Sequence, residues 1–375
     1  MSGERPQEPS VILELSRRKR TAAREVVRDS LFEATRVAAP YVTMARISIT
    51  RLGRDRLARV GAVVLACLAL VAVFADVLAS DLPLACRWKG ATYVMPCVVR
   101  PAALAGMDTS FLSSHATHGD WVLSSLVPHG PQDYADGGAT LLPPLVSPSH
   151  PFGTDALGRD VFARVVHGAR ASLGHGLAAS LVLVLIGVVL GALAGFMGGV
   201  VDSIVTRAVE SLTAIPTLVL VLVVGALVPH PSTATLIWTI ALTRWTDLAR
   251  LVRAEVLRSL SEDYVTAARA LGVSAVRILW RHVLPNAIGP AIVAAAFGVA
   301  SVVLVEAAVD FLGVGSHAGA ASWGEAMGEA RGHAEAWWLI VFPCVALIAT
   351  LVGLNLVGEA ARDAVDPKLR NAGGV

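Results

Sequence analysis

The sequence predicts an all-α membrane protein of six spans, with one loop domain of any size outside the bilayer. Hydrophobic residues make up 55% of the chain and charged residues 16%, with a mean hydropathy of +0.64, whereas about a quarter of a soluble domain is charged. The apolar residues also gather into runs near the ~20 that a helix needs to cross the hydrocarbon. The formal charge of +2 says little as a total. Where the charges fall says more.

Residues 1–58 hold no long apolar run and are rich in arginine, with a cluster at Arg17, Arg18, Lys19 and Arg20 and a later series at Arg46, Arg51, Arg54, Arg56 and Arg59. A cleaved signal peptide has its apolar core directly after a few basic residues, so this N-terminus is expected to be retained. Beside a membrane span, such a basic segment reads as a cytoplasmic anchor drawn to anionic lipid, and not as a nucleic-acid arm. Residues 44–58 are expected to form an amphipathic helix on the bilayer surface.

The first transmembrane segment occupies 59–79, and further spans are expected at 172–197, 204–228, 233–251, 287–309 and 337–357, a five-helix core within 171–360 followed by a tail at 361–375. The fourth of the six contains Arg244 and Asp247. A charge in mid-span costs about 2.5–3.5 kcal/mol, so this helix should be shielded by neighbours or border a watery translocation path. Gly187, Gly191, Gly195 and Gly198 recur along the second span and suit close helix packing. Arg207 and Glu210 suit a local ion pair, with Pro216 six residues beyond Glu210.

Thirteen Lys and Arg fall in the first 59 residues and seven in 244–281, against four in 80–160 and one in 312–336. The positive-inside rule therefore puts both termini and the central 253–286 loop in the cytoplasm. The 80–170 loop lies outside, where disulfides persist, and a bridge between Cys86 and Cys97 is expected. Cys67 and Cys344 sit in apolar runs as packing residues. His115, His118 and Asp120 are too loosely spaced for a metal site and read as solvated loop. Towards the end of the loop, Asp155, Arg159 and Asp160 are expected to pair at the outer interface, with helical periodicity from Asp160 onward.

The stretch from Tyr264 to Asn286 reads as helix, turn, helix. Tyr264, Ala267, Ala268 and Leu271 recur at i, i+3, i+4 and i+7 on one face. Gly272 suits the left-handed residue that ends a helix, and Ser274 is a good N-cap for the next. Val276, Leu279, Trp280 and Val283 form an apolar face opposite Arg277 and Arg281.

These residues resemble the cytoplasmic signature loop of ABC importer permeases. Ala267, Ala268, Gly272, Leu284 and Pro285 match its spacing, with Thr266 where glutamate is usual and His282 where a hydrophobic residue is usual. The wording A A R A L G, then R H V L P N, is similar to the dipeptide, oligopeptide and nickel branch, where that histidine is ordinary. Residues 150–173, the run 306–315 with Ser322, Trp323 and Gly324, and the tail 362–370 resemble further segments of the same branch.

The resemblance implies the six-helix type I importer permease fold, with the extracytoplasmic loop between helices one and two. It implies a coupling loop that docks on an ATPase subunit through Tyr264, Thr266, Ala267, Ala268, Arg269, Leu271, Gly272 and Pro285. With Thr266 in the glutamate position, docking must rest on packing, or on Glu262 and Asp263. Also implied are one or two cytoplasmic ATPase subunits, a second permease forming a heterodimer, and an exported solute-binding protein. Glu306 and Asp310 are implied to be structural. The chain has no phosphate-cradling G-x-x-x-x-G-K-[ST] loop, so it is not expected to be an enzyme, to bind a cofactor or to hold a metal; ATP and Mg belong on the partner subunits. Dipeptides, longer peptides, nickel chelates and sugars are the expected solutes, in that order. A self-sufficient secondary transporter would need an inverted repeat that the charge and glycine pattern lacks. A membrane hydrolase would need a nucleophile or ligand cluster that is missing too.

Overall fold

The computed structural model describes residues 55–134, 140–228, 232–314 and 321–365. The basic segment 1–54, with most of the expected surface helix 44–58, lies outside the described residues, as do Gly315 and tail residues 366–375. In chain order the elements are α1 (Arg56–Val73), α2 (Ala75–Leu78), β1 (Ala85–Trp88), β2 (Ala91–Val94), α3 (Pro96–Val99), α4 (Thr109–Ser114), β3 (Trp121–Leu123), α5 (Val161–Met197), α6 (Gly199–Thr213), α7 (Thr217–Leu227), α8 (Thr233–Leu260), α9 (Asp263–Ala270), α10 (Ala275–Ile278), α11 (Leu284–Phe311), α12 (Trp323–Gly328) and α13 (Trp338–Val365).

Four helices are long and apolar enough to cross a membrane: α1, α5, α13 and a 37-residue rod, Ala275–Phe311, in which α10 and α11 join through the π turn Leu279–Val283. A fifth results if α6 and α7 count as one span bent by 82°. The segment expected at 204–228 is therefore not one straight helix. Pro216 cannot supply the N–H that would continue α6, and its ring clashes with the carbonyl four residues back, so the helix ends and a new one starts. The remaining expected span lies in α8. This helix is 28 residues long and unbroken, but it carries Arg244, Asp247, Arg250, Arg253, Glu255 and Arg258 and is not apolar enough to count. Length and composition thus give four or five spans among the described residues, not six.

Helix α5 starts at Val161, where Asp160 accepts from the Ala163 N–H at 2.7 Å. Its 37 residues span about 55 Å, well beyond the ~30 Å of hydrocarbon, so part of it stands outside the bilayer. It is packed tightly on α8. A Cβ added at Gly191 would lie 2.5 Å from the Ala249 carbonyl oxygen, and those at Gly187 and Gly195 would meet Trp245 and Arg253 backbone at 3.0 and 2.9 Å. The three glycines are an approach surface, as their spacing suggests. Gly198 differs: a Cβ there would meet nothing within 4 Å, and it ends α5 at φ +64°. Gly61 and Gly353 bring α1 and α13 together in the same way: a Cβ added at either would lie 2.9 or 3.3 Å from the other's backbone oxygen.

The loop between α1 and α5 is a small domain. Antiparallel strands in the order β2-β1-β3 pair Cys86 with Tyr93 and Val122. Cys86 and Trp88 point inward onto Leu82, Leu104 and Leu112, with Cys97 in the same cluster. Both cysteines are buried free thiols, not the expected bridge. Each fills space as a small apolar side chain, and burial pushes both thiols above their ordinary pKa. His115 stacks on Phe111, and Asp120 accepts from the Thr117 hydroxyl at 2.7 Å, which lowers its carboxyl pKa.

Candidate functional site

The helix-turn-helix expected at 264–286 is present. Helix α9 ends at Gly272, whose φ of +76° would strain any residue with a Cβ. The Gly272 N–H donates to the Arg269 carbonyl at 3.0 Å and the Val273 N–H to the Ala268 carbonyl at 3.1 Å, so the last carbonyls are satisfied by the turn itself. Ser274 stands at the next N-cap, but its side chain makes no capping bond.

Burial splits the eight residues expected to dock. Ala268 lies in one cluster with Val252, Val256, Val265, Ile278 and Val283, and Tyr264 packs against it. Thr266, Ala267, Arg269, Leu271, Gly272 and Pro285 are exposed. The expected face with Ala267 and Ala268 side by side is therefore corrected: positions 264, 265 and 268 form the inner side of α9. The outward surface is Thr266, Ala267, Ala270 and Leu271. In the second helix Ile278 and Val283 turn inward, while Val276 and Trp280 turn out with Arg277 and Arg281.

Tyr264 also makes a bond within the loop. Asn286, at the base of α11, donates from Nδ2 to the Tyr264 hydroxyl oxygen at 2.6 Å and to the His282 carbonyl at 2.8 Å. One amide thus clasps the start of α9 to the start of the rod. Asn286 Oδ1 is buried without a partner. The π turn between them follows from Pro285, which has no N–H to give to the Arg281 carbonyl; the Leu284 N–H reaches back to Leu279 instead.

On α8, Arg244 Nη2 donates to Ser301 Oγ of α11 at 2.6 Å. Asp247 lies 3.8 Å from Arg244 and 2.6 Å from Arg250, forming a row along a half-exposed side of the helix. Arg253 pairs with Asp202, tying α8 to α6. Arg207 and Glu210 pair at 3.4 Å, but both are largely exposed.

The end of the helices beside the α1–α5 loop holds a buried cluster. Asp155 Oδ1 accepts from its own loop, from the Leu157 and Arg159 N–H groups at 2.9 and 2.8 Å. Its Oδ2 accepts from Arg159 Nε at 2.7 Å and from Arg164. Arg164 continues to Glu325 at 2.7 Å and Arg159 to Glu329 at 3.0 Å. Burial alone would lower the pKa of Arg159, but Asp155, Glu325 and Glu329 outweigh it and hold the guanidinium above its ordinary range. Asp160 pairs with His150 at 2.8 Å. Deeper, His175 of α5 meets Glu306 of α11 at 3.1 Å, and Ser322 donates to Asp310. The pairing of Asp155 and Arg159 matches their expected structural role. Arg164, His175, Glu325 and Glu329 were not expected; their partners lie 131 to 170 positions away in sequence for the bonds between α5 or its loop and α11 or α12.

Residues 187–371 match the family described as binding-protein-dependent transport system inner membrane component. The chain is 40% identical over 251 residues to the dipeptide transport system permease protein DppC of Escherichia coli K12, covering 65% of this chain and 83% of that one. It is 38% identical over 221 residues to the di/tripeptide transport system permease protein DppC of Pseudomonas aeruginosa, covering 59% and 73%. With the oligopeptide transport system permease protein OppC of Bacillus subtilis the identity is 34% over 225 residues, covering 60% and 73%.

Proposed function

The chain belongs to the family of binding-protein-dependent transport system inner membrane components, in the peptide branch of the ABC importer permeases, and on that premise we propose that it carries peptides inward by passing the closure of an ATPase to its membrane helices through the 264–286 loop. Dipeptides are the first candidate solute and longer peptides the second, ahead of nickel chelates and sugars. ATP and Mg bind on one or two separate cytoplasmic ATPase subunits, and an exported solute-binding protein delivers the cargo. Both termini are cytoplasmic.

One observation carries this reading: an exposed small-residue face on α9, clasped by Asn286 to a 37-residue rod that enters the membrane. The Thr266, Ala267, Ala270 and Leu271 surface has the low middle that a groove on another protein accepts. A push on it reaches α11 through the Tyr264–Asn286 bond and the shared Val265, Ala268 and Ile278 core. At its outer end α11 is pinned to α5 by His175 and to the α12 segment by Ser322, so the push moves a connected block.

The charge row on α8 supports a second permease. Arg244, Asp247 and Arg250 on a half-exposed side would cost about 2.5–3.5 kcal/mol each against lipid at mid-span. They are better placed against a partner permease or a watery path between the two, with α8 as the sixth membrane helix. The heterodimer forms around that path.

The test is Ala267→Arg in the assembled complex. The variant is expected to reach the membrane yet lose its ATPase subunits on purification, along with uptake of a labelled dipeptide. Retention of both would overturn the docking role. Uptake that survives deletion of the ATPase genes would favour the secondary-transporter reading instead.

A further inference from the structure

We propose that the segment Ala275–Val283 is a foot resting on acidic lipid headgroups at the membrane surface from which α11 enters; this rests on reading the 253–286 loop as the one beside that surface. Val276 and Trp280 are 68% and 66% exposed. Beside them Arg277 and Arg281 are exposed, and neither makes an ion pair or side-chain hydrogen bond among the described residues. Two unpaired guanidinium groups next to an outward indole and a valine have the composition of an interfacial contact, in which the ring sits at headgroup level and the arginines reach the phosphates.

The π turn decides which surface these side chains join. In an unbroken α-helix Trp280 would stack above Leu284, which is 9% exposed and belongs to the protein core. The π turn closes a bond from the Leu284 N–H to the Leu279 carbonyl, inserting one residue. Trp280 is thereby phased with Pro285, five positions on, and then with Ile288 and Ile292, all outward on the same rod. Ile292 is 60% exposed within a helix apolar enough to cross the bilayer. The exposed apolar stripe of the rod thus continues without a break to Trp280, and the two arginines beside its end favour an anionic surface there. The small-residue docking face of α9, around Ala267, is a separate surface.

The test uses the full permease complex in nanodiscs, with phosphatidylcholine or phosphatidylglycerol brominated on the acyl chains. The Trp280 fluorescence is taken as the difference between the wild type and Trp280→Phe. Each arginine near an anionic surface favours it roughly fivefold, so the pair predicts enrichment of phosphatidylglycerol on the order of 25-fold. The Trp280 component should be quenched by the brominated anionic lipid in preference to the neutral one, and Arg277→Gln with Arg281→Gln should abolish the preference. Equal quenching by both lipids, or no quenching by either, would overturn the proposal. Retention of ATPase subunits by the Ala267→Arg variant would sink the docking reading alone, because the lipid measurement does not depend on it.

Discussion

At its outer end the Ala275–Phe311 rod is held by buried charge, with Glu306 on His175, Asp310 on Ser322, and the adjoining α12 segment on Arg159 and Arg164. At its inner end the same rod is held by the Asn286 amide and by Ile278, Val283, Leu284 and Ala287 in the main apolar core, with no buried ion pair there among the described residues. The outer arrangement is costly to disturb, because removing one member of a buried pair strands the other. The inner one can take up a load from outside without leaving a charge unpaired. A lever needs this asymmetry: a firm block to be moved and an accessible handle.

The largest effect should come from breaking the firm end. Arg164→Ala takes the better-placed buried cation from Asp155 and Glu325, leaving them only Arg159 at 2.7 and 3.8 Å, and should destabilise the protein by about 3–5 kcal/mol, read as a lower unfolding midpoint in detergent. A midpoint like the wild type would mean that the cluster is not a block at all. Gly191→Leu drives a side chain into the Ala249 carbonyl and should cost about 1–3 kcal/mol by overpacking, with the same readout.

At the inner end, Asn286→Leu should cost only about 0.5–1.5 kcal/mol in stability, yet raise the ATP hydrolysed per dipeptide imported, a ratio that simple loosening of the fold would leave unchanged. Arg207→Ala removes an exposed pair and should stay within about 0.5 kcal/mol of the wild type. Least of all, the outer loop should gain from acid through Asp133, whose carboxyl pKa is raised by burial. A raised folded pKa means that its contribution is present below the unfolded value and lost as pH climbs through the folded one. Asp133→Asn should flatten that slope in a pH series of melting curves.

Much of the inner end was legible in the sequence because its signals are local. Gly272 reads as the turn that ends the first helix, while the π turn before Pro285 leaves no mark in the spacing. What could not be read was which way α9 faces: Ala267 and Ala268 are the same residue, and only the packing of Val265 against Val256 and Ile278 decides that Ala268 is inside. The 204–228 stretch reads as one continuous span, and the 82° bend at Pro216 departs from it. The outer block was legible only in part. Asp155 and Arg159 lie four positions apart and invite pairing, whereas Glu329 reaches Arg159 across 170 positions and carries no local sign of it. The buried cysteines mislead for a related reason, since a small apolar role and a bridge use the same residue.

The central claim is that α9 and α11 move as one body. It is tested most directly by spin labels at Arg269 and Ile288, in a background lacking the four cysteines, in the complex with and without trapped nucleotide. One narrow Arg269–Ile288 distance distribution is expected in both states, with a shift when the second label is moved to Leu57 at the start of α1. A changed Arg269–Ile288 distance with an unchanged Arg269–Leu57 distance would contradict it.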